Sequence, residues 1–311
     1  MESSARVSAE LSGGRVDKVV LALFPGLSRA RVKKAIEARA VRVNGRVRPK
    51  GEVVAEGDTI SVDSAFLVSP DEALIAEPNA GLEVRYQDDH VLVVDKPAGQ
   101  PTIPIRAAEK GTLANALIGQ FPELAGVGRT AREPGVIHRL DNDTSGLVIV
   151  ARTEVAFEVL TKALREEQIE KSYLLLCNGE DLPDFGTIDI PLTNHPKDKK
   201  RVYPCIHPRD VMRYQPRPAS TSYEVVTRMG PWALVRAHAK KATRHQIRVH
   251  FSAIEHPLLG DELYGGPAVD DLSRHALHAE RVQFGGEKPV RTFDVQSPLP
   301  VDLAALVARI G

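Results

Sequence analysis

The stretch His138-Arg139-Leu140-Asp141-Asn142-Asp143-Thr144-Ser145-Gly146, followed at once by Leu147-Val148-Ile149-Val150-Ala151, decides the reading of this chain. A polar run presents carboxylates, bends at Ser145-Gly146 and enters a continuous apolar run. That is the pattern of a loop at the mouth of a buried strand. Chemistry concentrates on loops that a rigid strand holds in place. From residue types alone the loop reads first as an Asx or Ser/Thr turn. Asp143, Thr144 and Ser145 would then bond the backbone and Arg139 would pair with a carboxylate.

The same nine residues resemble the active-site loop of the RluA-type pseudouridine synthases, patterned HRLD, two variable residues, then TSG. The resemblance makes Asp141 the catalytic carboxylate and sets His138, Arg139 and Thr144 against substrate RNA. Two further segments carry it in the same order. Lys171-Ser172-Tyr173 opens an apolar strand about thirty residues later, where the family places its second motif, and implies that Tyr173 stacks on a flipped base. Lys241-Ala242-Thr243-Arg244-His245-Gln246-Ile247-Arg248 resembles the family's TGRTHQIR, with Arg248 matching the arginine that pairs with the aspartate and orients it. The departure at residues 241–244 leaves HQIR intact and bears on substrate contacts rather than on catalysis. If this segment is already helical, Ile247, Phe251 and Ile254 form its buried face while Arg244 and Arg248 share another. Asp95-Lys96-Pro97-Ala98-Gly99 resembles the family's first motif, a supporting turn. His256 to Gly265 resembles HPxxGDxxYG, which with Ala276 to Ala279 is expected to act as support behind the site.

Upstream lies a module of different character. Between Arg15 and Lys50 eleven Lys and Arg face two acids, a local +9 inside a chain whose formal net charge is zero. Such a cluster suits a polyanionic partner, because each cation near a phosphate releases a counterion. Val16, Val19, Val20 and Leu23 form one helical stripe, Phe24-Pro25-Gly26 breaks it, and Ser28 can cap a second helix with Val32, Ala35 and Ile36 inward. Val41 to Val47 alternates around Asn44-Gly45, a hairpin signal. Two short helices and a VNG hairpin resemble an S4 RNA-binding domain. The resemblance makes Arg29, Arg31, Lys33, Lys34, Arg42 and Arg46 candidate RNA contacts.

The chain has 311 residues, 42% hydrophobic and 26% charged, enough for a large domain beside a small one. No run approaches the roughly 18 apolar residues of a membrane span, and residues 1–14 lack a signal-like apolar core, so a cytoplasmic location is expected. Cys177 and Cys205 are too few for a disulfide framework, and CxxC and HExxH spacings are absent. Neither a metal nor a cofactor is expected. His245 and His250, five apart, fall on different faces of a helix or strand, which disfavours a metal pair.

The expected fold is α+β: a disordered N-terminus at 1–14, an S4-like domain at 15–62, a linker at 63–80 and a catalytic domain at 81–311. The resemblance implies a curved, mostly antiparallel mixed sheet with flanking helices for that last domain. The expected function is isomerisation of specific uridines to pseudouridine in structured RNA, ribosomal RNA of the large subunit foremost and transfer RNA second, by a monomer. Base flipping would cost a few kcal/mol that contacts to base and backbone offset. Two alternatives stand beside it. A catalytically inactive RNA-binding protein would keep the fold without the reaction. A glycoside hydrolase using Asp141 and Asp143 needs carboxyl groups about 5 to 10 Å apart on opposite sides of a sugar, which one tight loop supplies poorly.

Overall fold

The computed structural model describes residues 2–24, 27, 29–63, 66, 74–106 and 108–311, except for the side chains of 29–31. The chain divides into two compact units, Met1–Ala73 and Leu74–Gly311.

The first unit carries a four-stranded sheet in the order β1-β4-β2-β3, built from β1 (Glu2–Arg6), β2 (Val41–Val43), β3 (Arg46–Val47) and β4 (Thr59–Asp63). Helices α1 (Val16–Leu23) and α2 (Arg29–Glu37) bury Val16, Val19, Val20, Val32 and Ala35 against Val41, Val43, Ile60 and Val62. The hairpin between β2 and β3 turns at Asn44 and Gly45, both with positive φ, as a tight two-residue loop requires. The expected break at Pro25-Gly26 and the cap at Ser28 lie outside the described residues.

The N-terminus differs from expectation. Residues 2–6, expected to be disordered, form β1 and pair antiparallel with β4 from Glu2 to Arg6, and Val7 is buried. The strand is almost wholly exposed in side chain, so backbone pairing along an open sheet edge holds it rather than an apolar face. The expected linker also shortens at its C-terminal end. The Ile75 carbonyl accepts from Asn115, the Glu77 N–H donates to the Asn115 carbonyl and the Ala80 carbonyl accepts from Gln120. Residues 75–80 are thereby fastened to the second unit. The rest of that expectation falls largely on 64–65 and 67–73, outside the described residues.

The second unit is organised on a nine-stranded mixed sheet. Its strands are β5 (Glu83–Gln87), β6 (Val91–Lys96), β7 (Ser145–Ala151), β8 (Ile169–Asn178), β9 (Phe185–Asp189), β12 (Ser220–Met229), β13 (Trp232–His238), β14 (Leu277–Phe284) and β15 (Phe293–Gln296), while β10 (Leu192–Asn194) and β11 (Val202–Pro204) form a separate pair. The order is β5-β6-β7-β14-β8-β13-β12-β9, with β15 on β14, and every neighbouring pair is antiparallel except β7 with β14.

The continuous apolar runs of β6 and β7 are explained by burial on both faces. Leu92, Val94, Val148 and Val150 join one core cluster, and Val91, Val93, Leu147 and Ile149 join the other. Helix α3 (Leu113–Gln120), started by a Thr112–Asn115 capping box, covers the first face with Leu113 and Leu117. Helix α4 (Glu154–Arg165), capped by Thr153, covers the second with Ala156, Phe157, Leu160 and Ala163. Helices α5 (Pro208–Tyr214), α6 (Gln246–Ala253) and α7 (Val301–Ile310) complete the unit.

At the entry to β7, Gly146 has φ +115°, and a Cβ there would lie 2.3 Å from the Ala279 carbonyl oxygen of the parallel neighbour β14. Neither backbone can yield without breaking the ladder. Gly146→Ala is therefore expected to cost about 2 to 4 kcal/mol of unfolding free energy, read by urea denaturation. A loss below about 0.5 kcal/mol would show that the β7–β14 contact is softer than this geometry implies.

Candidate active site

The loop 138–144 is held from beneath at four successive carbonyls. The Thr102 hydroxyl donates to Leu140 O at 3.0 Å, the Thr144 N–H to Asp141 O at 3.1 Å, the Lys96 ammonium to Asn142 O at 2.9 Å and Arg274 to Asp143 O at 3.1 Å. Lys96 is fully buried and spends its other two protons on Pro97 O and Gln100 O, both at 2.8 Å. Three acceptors thus match the three donors of one ammonium. Burial pushes its pKa down to about 7 against the pull of Asp143 and Asp141. Arg274 also grips both oxygens of Asp302 in the first turn of α7, at 2.7 and 3.0 Å. The loop is therefore preorganised by its supports, of which Lys96 lies behind it while Thr102 and Arg274 also line the larger cavity.

Asp141 stands on this loop, about a quarter exposed in its side chain, and accepts from Arg248 Nη1 through Oδ2 at 3.1 Å. Its Oδ1 makes no hydrogen bond among the described residues. Arg248 sits on α6 and is itself anchored from behind, since Nε and Nη2 donate to the two oxygens of buried Asp261 at 2.7 and 2.8 Å. Its guanidinium lies 5.1 Å from the ring centre of Tyr264. Burial opposes the charge on Arg248, but the bonds to Asp261 and Asp141 outweigh it and raise the pKa. The residue before α6, His245, has a left-handed backbone at φ +54°, places Nδ1 2.7 Å from the Tyr264 hydroxyl and Nε2 3.8 Å from Asp141 Oδ2. Burial lowers its pKa more than Asp141 raises it.

Tyr173 lies on β8 with 5% exposure, and burial followed by the nearby Asp141 charge raises its pKa. Its hydroxyl makes no hydrogen bond among the described residues. Two cavities meet at Asp141. One of about 300 Å³ is lined by Asp141, Tyr173, Arg248 and Lys171. The other, of about 1080 Å³, is lined by Asp141, Arg139, Lys200 and Arg244. The three sequence-derived catalytic candidates are thus gathered around one cavity, and Arg139, exposed and unpaired among the described residues, borders both.

His138 and Thr144 both line the smaller cavity, and each is also bonded within the fold. His138 Nε2 accepts from Ile149 N–H at 3.2 Å, and burial lowers its pKa to about 3, so one ring nitrogen is committed to β7 and the ring is neutral. Thr144 is 2% exposed and bonds His275 Nε2 at 2.7 Å, fastening the loop to the chain before β14. Arg244 precedes α6 rather than sharing a helix face with Arg248, and donates to the carbonyls of Lys199 and Lys200 at 3.0 and 2.5 Å.

The remaining candidates belong to the small unit. Lys34 and Arg46 are exposed and unpaired among the described residues, Lys33 pairs with Glu37 at 3.7 Å and Arg42 with Glu2 at 3.2 Å, and the side chains of Arg29 and Arg31 lie outside the described residues. Asp261, Lys96, Arg274 and Lys171 were not singled out as site residues by sequence. The segments holding Lys96 and Asp261 were expected as supports and Lys171 stands in the motif of Tyr173, but none of them, nor the lone Arg274, carries a local sign of the group it will reach.

A carboxylate with one oxygen anchored and the other open, beside a buried aromatic ring and several cations, suits an enzyme acting on an anionic substrate that carries a planar ring. The chain belongs to the RNA pseudouridylate synthase family, which matches residues 90–253, and the S4 domain matches residues 14–60. It is an isomerase of that family. A protein of Haemophilus ducreyi named ribosomal large subunit pseudouridine synthase D is 33% identical over 328 aligned positions, covering 100% of this chain and 95% of that one. One of the same name from Xanthomonas campestris pv. campestris is 34% identical, covering 100% and 94%. The solved human RNA pseudouridylate synthase domain containing 1 superposes with a TM-score of 0.56 at 25% identity over 75% of this chain and 97% of its own. The glycoside hydrolase alternative is thereby set aside.

Proposed function

We propose that this chain converts uridine to pseudouridine in large-subunit ribosomal RNA, with Asp141 acting at the ribose, Tyr173 stacking on the flipped uracil and Arg248 orienting Asp141. The single observation that carries the reading is the asymmetry of Asp141: Oδ2 is fixed by Arg248, and Oδ1 is open where two cavities meet. The smaller cavity, about 300 Å³, is of a size for one nucleoside. Isomerisation breaks the N1–C1′ bond, turns the ring and rejoins it through C5, so the pocket must release, hold and re-present the same base. Arg139 at the rim serves the RNA backbone or the space vacated by the flipped base, and exposed Lys34 and Arg46 add phosphate contacts. The name carried by full-length relatives supports ribosomal RNA as substrate and hence a cytoplasmic site of action.

The test is tritium release from RNA labelled at uridine C5, using large-subunit RNA from cells that lack this protein. Release with new pseudouridines mapped to defined positions is expected. Free uracil would indicate hydrolysis, and tight RNA binding without product would indicate the inactive binding protein.

A further inference from the structure

Lys171 is a buried cation for which the folded chain provides no acceptor. It is 5% exposed, and among the described residues its ammonium makes no hydrogen bond or ion pair. Its Nζ is not among the fully buried unpaired atoms, so the little exposure of this side chain includes the ammonium, which opens on a cavity where a ligand, water or ion completes it. Alternation along β8 puts Lys171 on the same face as Tyr173, and both line the cavity of about 300 Å³ that reaches Asp141.

The groups around it do not serve as partners. From the loop, His138 is neutral with Nε2 committed to Ile149, Arg139 is a cation, and Asp141 is held by Arg248. From the segment before α6, Lys241, Arg244 and His245 face the same cavity and offer no anion, while α4 and β14 contribute only Leu164 and Leu277. Tyr173 beside it stays protonated, because burial raises its pKa.

We infer that Lys171 is a specificity-determining residue whose ammonium donates to O4 of the bound uracil. This rests on the function proposed above. An ammonium is donor only, and uracil presents carbonyl oxygens on both sides of N3, whereas cytosine carries an amino group in place of O4. A site built to donate rejects the base that also donates there, because one donor is left unpaired. The contact also strengthens during reaction. When N1–C1′ breaks with its electron pair remaining on the ring, negative charge spreads onto the carbonyl oxygens. It is discharged as C5 bonds C1′, C5 loses its proton and N1 takes one up. An ammonium at a carbonyl oxygen therefore lowers the barrier as well as binding the base.

The experiment compares wild type, K171M and K171R on large-subunit RNA labelled at uridine C5, with melting temperature and RNA affinity measured on the same samples. K171M is expected to lose about 10- to 100-fold in kcat/KM while RNA affinity and melting stay close to wild type, and K171R to recover part of the loss. Burial lowers the Lys171 pKa to about 8. Wild-type kcat/KM is thus expected to fall more steeply as pH rises past that value than that of K171R, whose guanidinium keeps its proton. The difference between the two isolates this group from Lys96. K171M within threefold of wild type, K171R falling in parallel with wild type at high pH, or losses in both variants that track a lowered melting temperature would each overturn the assignment. No release by wild type would overturn instead the reading on which it rests.

Discussion

Asp141→Asn is expected to abolish tritium release, with a loss of at least about 10⁴-fold in kcat, while leaving the fold and RNA binding intact. Asparagine keeps the shape of the side chain, and the four carbonyl contacts that hold the loop do not involve the carboxylate. Arg248 stays neutralised by Asp261 when Asp141 loses its charge. The stability change should therefore be within about 1 kcal/mol, as befits one partly exposed ion pair. Single-turnover tritium release and urea denaturation on the same preparation separate the two effects. Residual activity above about 1% would remove Asp141 from the bond-making step, because electrostatic orientation alone tolerates a neutral isostere far better than nucleophilic or proton-transfer chemistry does.

Much of the site was legible in sequence because its reactive groups sit in short, contiguous strings. HRLD, the Lys-x-Tyr strand and HQIR each place one functional side chain by local backbone geometry, and the sheet then brings Asp141, Tyr173 and Arg248 to one cavity. The supports were less legible because their partners are remote. Asp261 lies thirteen residues beyond Arg248, in a segment expected as support whose sequence does not say that Arg248 is its partner. Arg274 reaches Asp143 across 131 residues. His138 and Thr144 belong to the right loop and line the smaller cavity, but string matching does not report that they also bond β7 and His275. The fold shows the same division. Apolar runs announced β6 and β7, whereas β1, sequence ESSAR, has no apolar alternation and is held chiefly by backbone pairing with β4.

Arg248 is where orientation and stability are joined, and its variants should separate them. Arg248→Met leaves Asp261, 1% exposed in its side chain, with no cation, and truncating one partner of such a pair costs about 3 to 5 kcal/mol. Activity should fall by about 10³-fold or more as the Asp141 carboxylate loses the one hydrogen bond it makes among the described residues. Arg248→Lys retains a charge but not the fork, and a point ammonium cannot bond both Asp261 oxygens while also reaching Asp141. It should keep most of the stability and little of the activity. The double variant Arg248→Met, Asp261→Leu removes the stranded charge together with its partner. It should regain much of the stability lost by Arg248→Met alone while remaining inactive, because nothing then fixes Asp141. Denaturation midpoints and kcat for the four proteins decide the matter. If the double variant recovers activity along with stability, Arg248 serves the fold alone and Asp141 is oriented by its loop. If stability returns without activity, the guanidinium works as a bridge whose buried end holds the protein and whose open end aims the carboxylate.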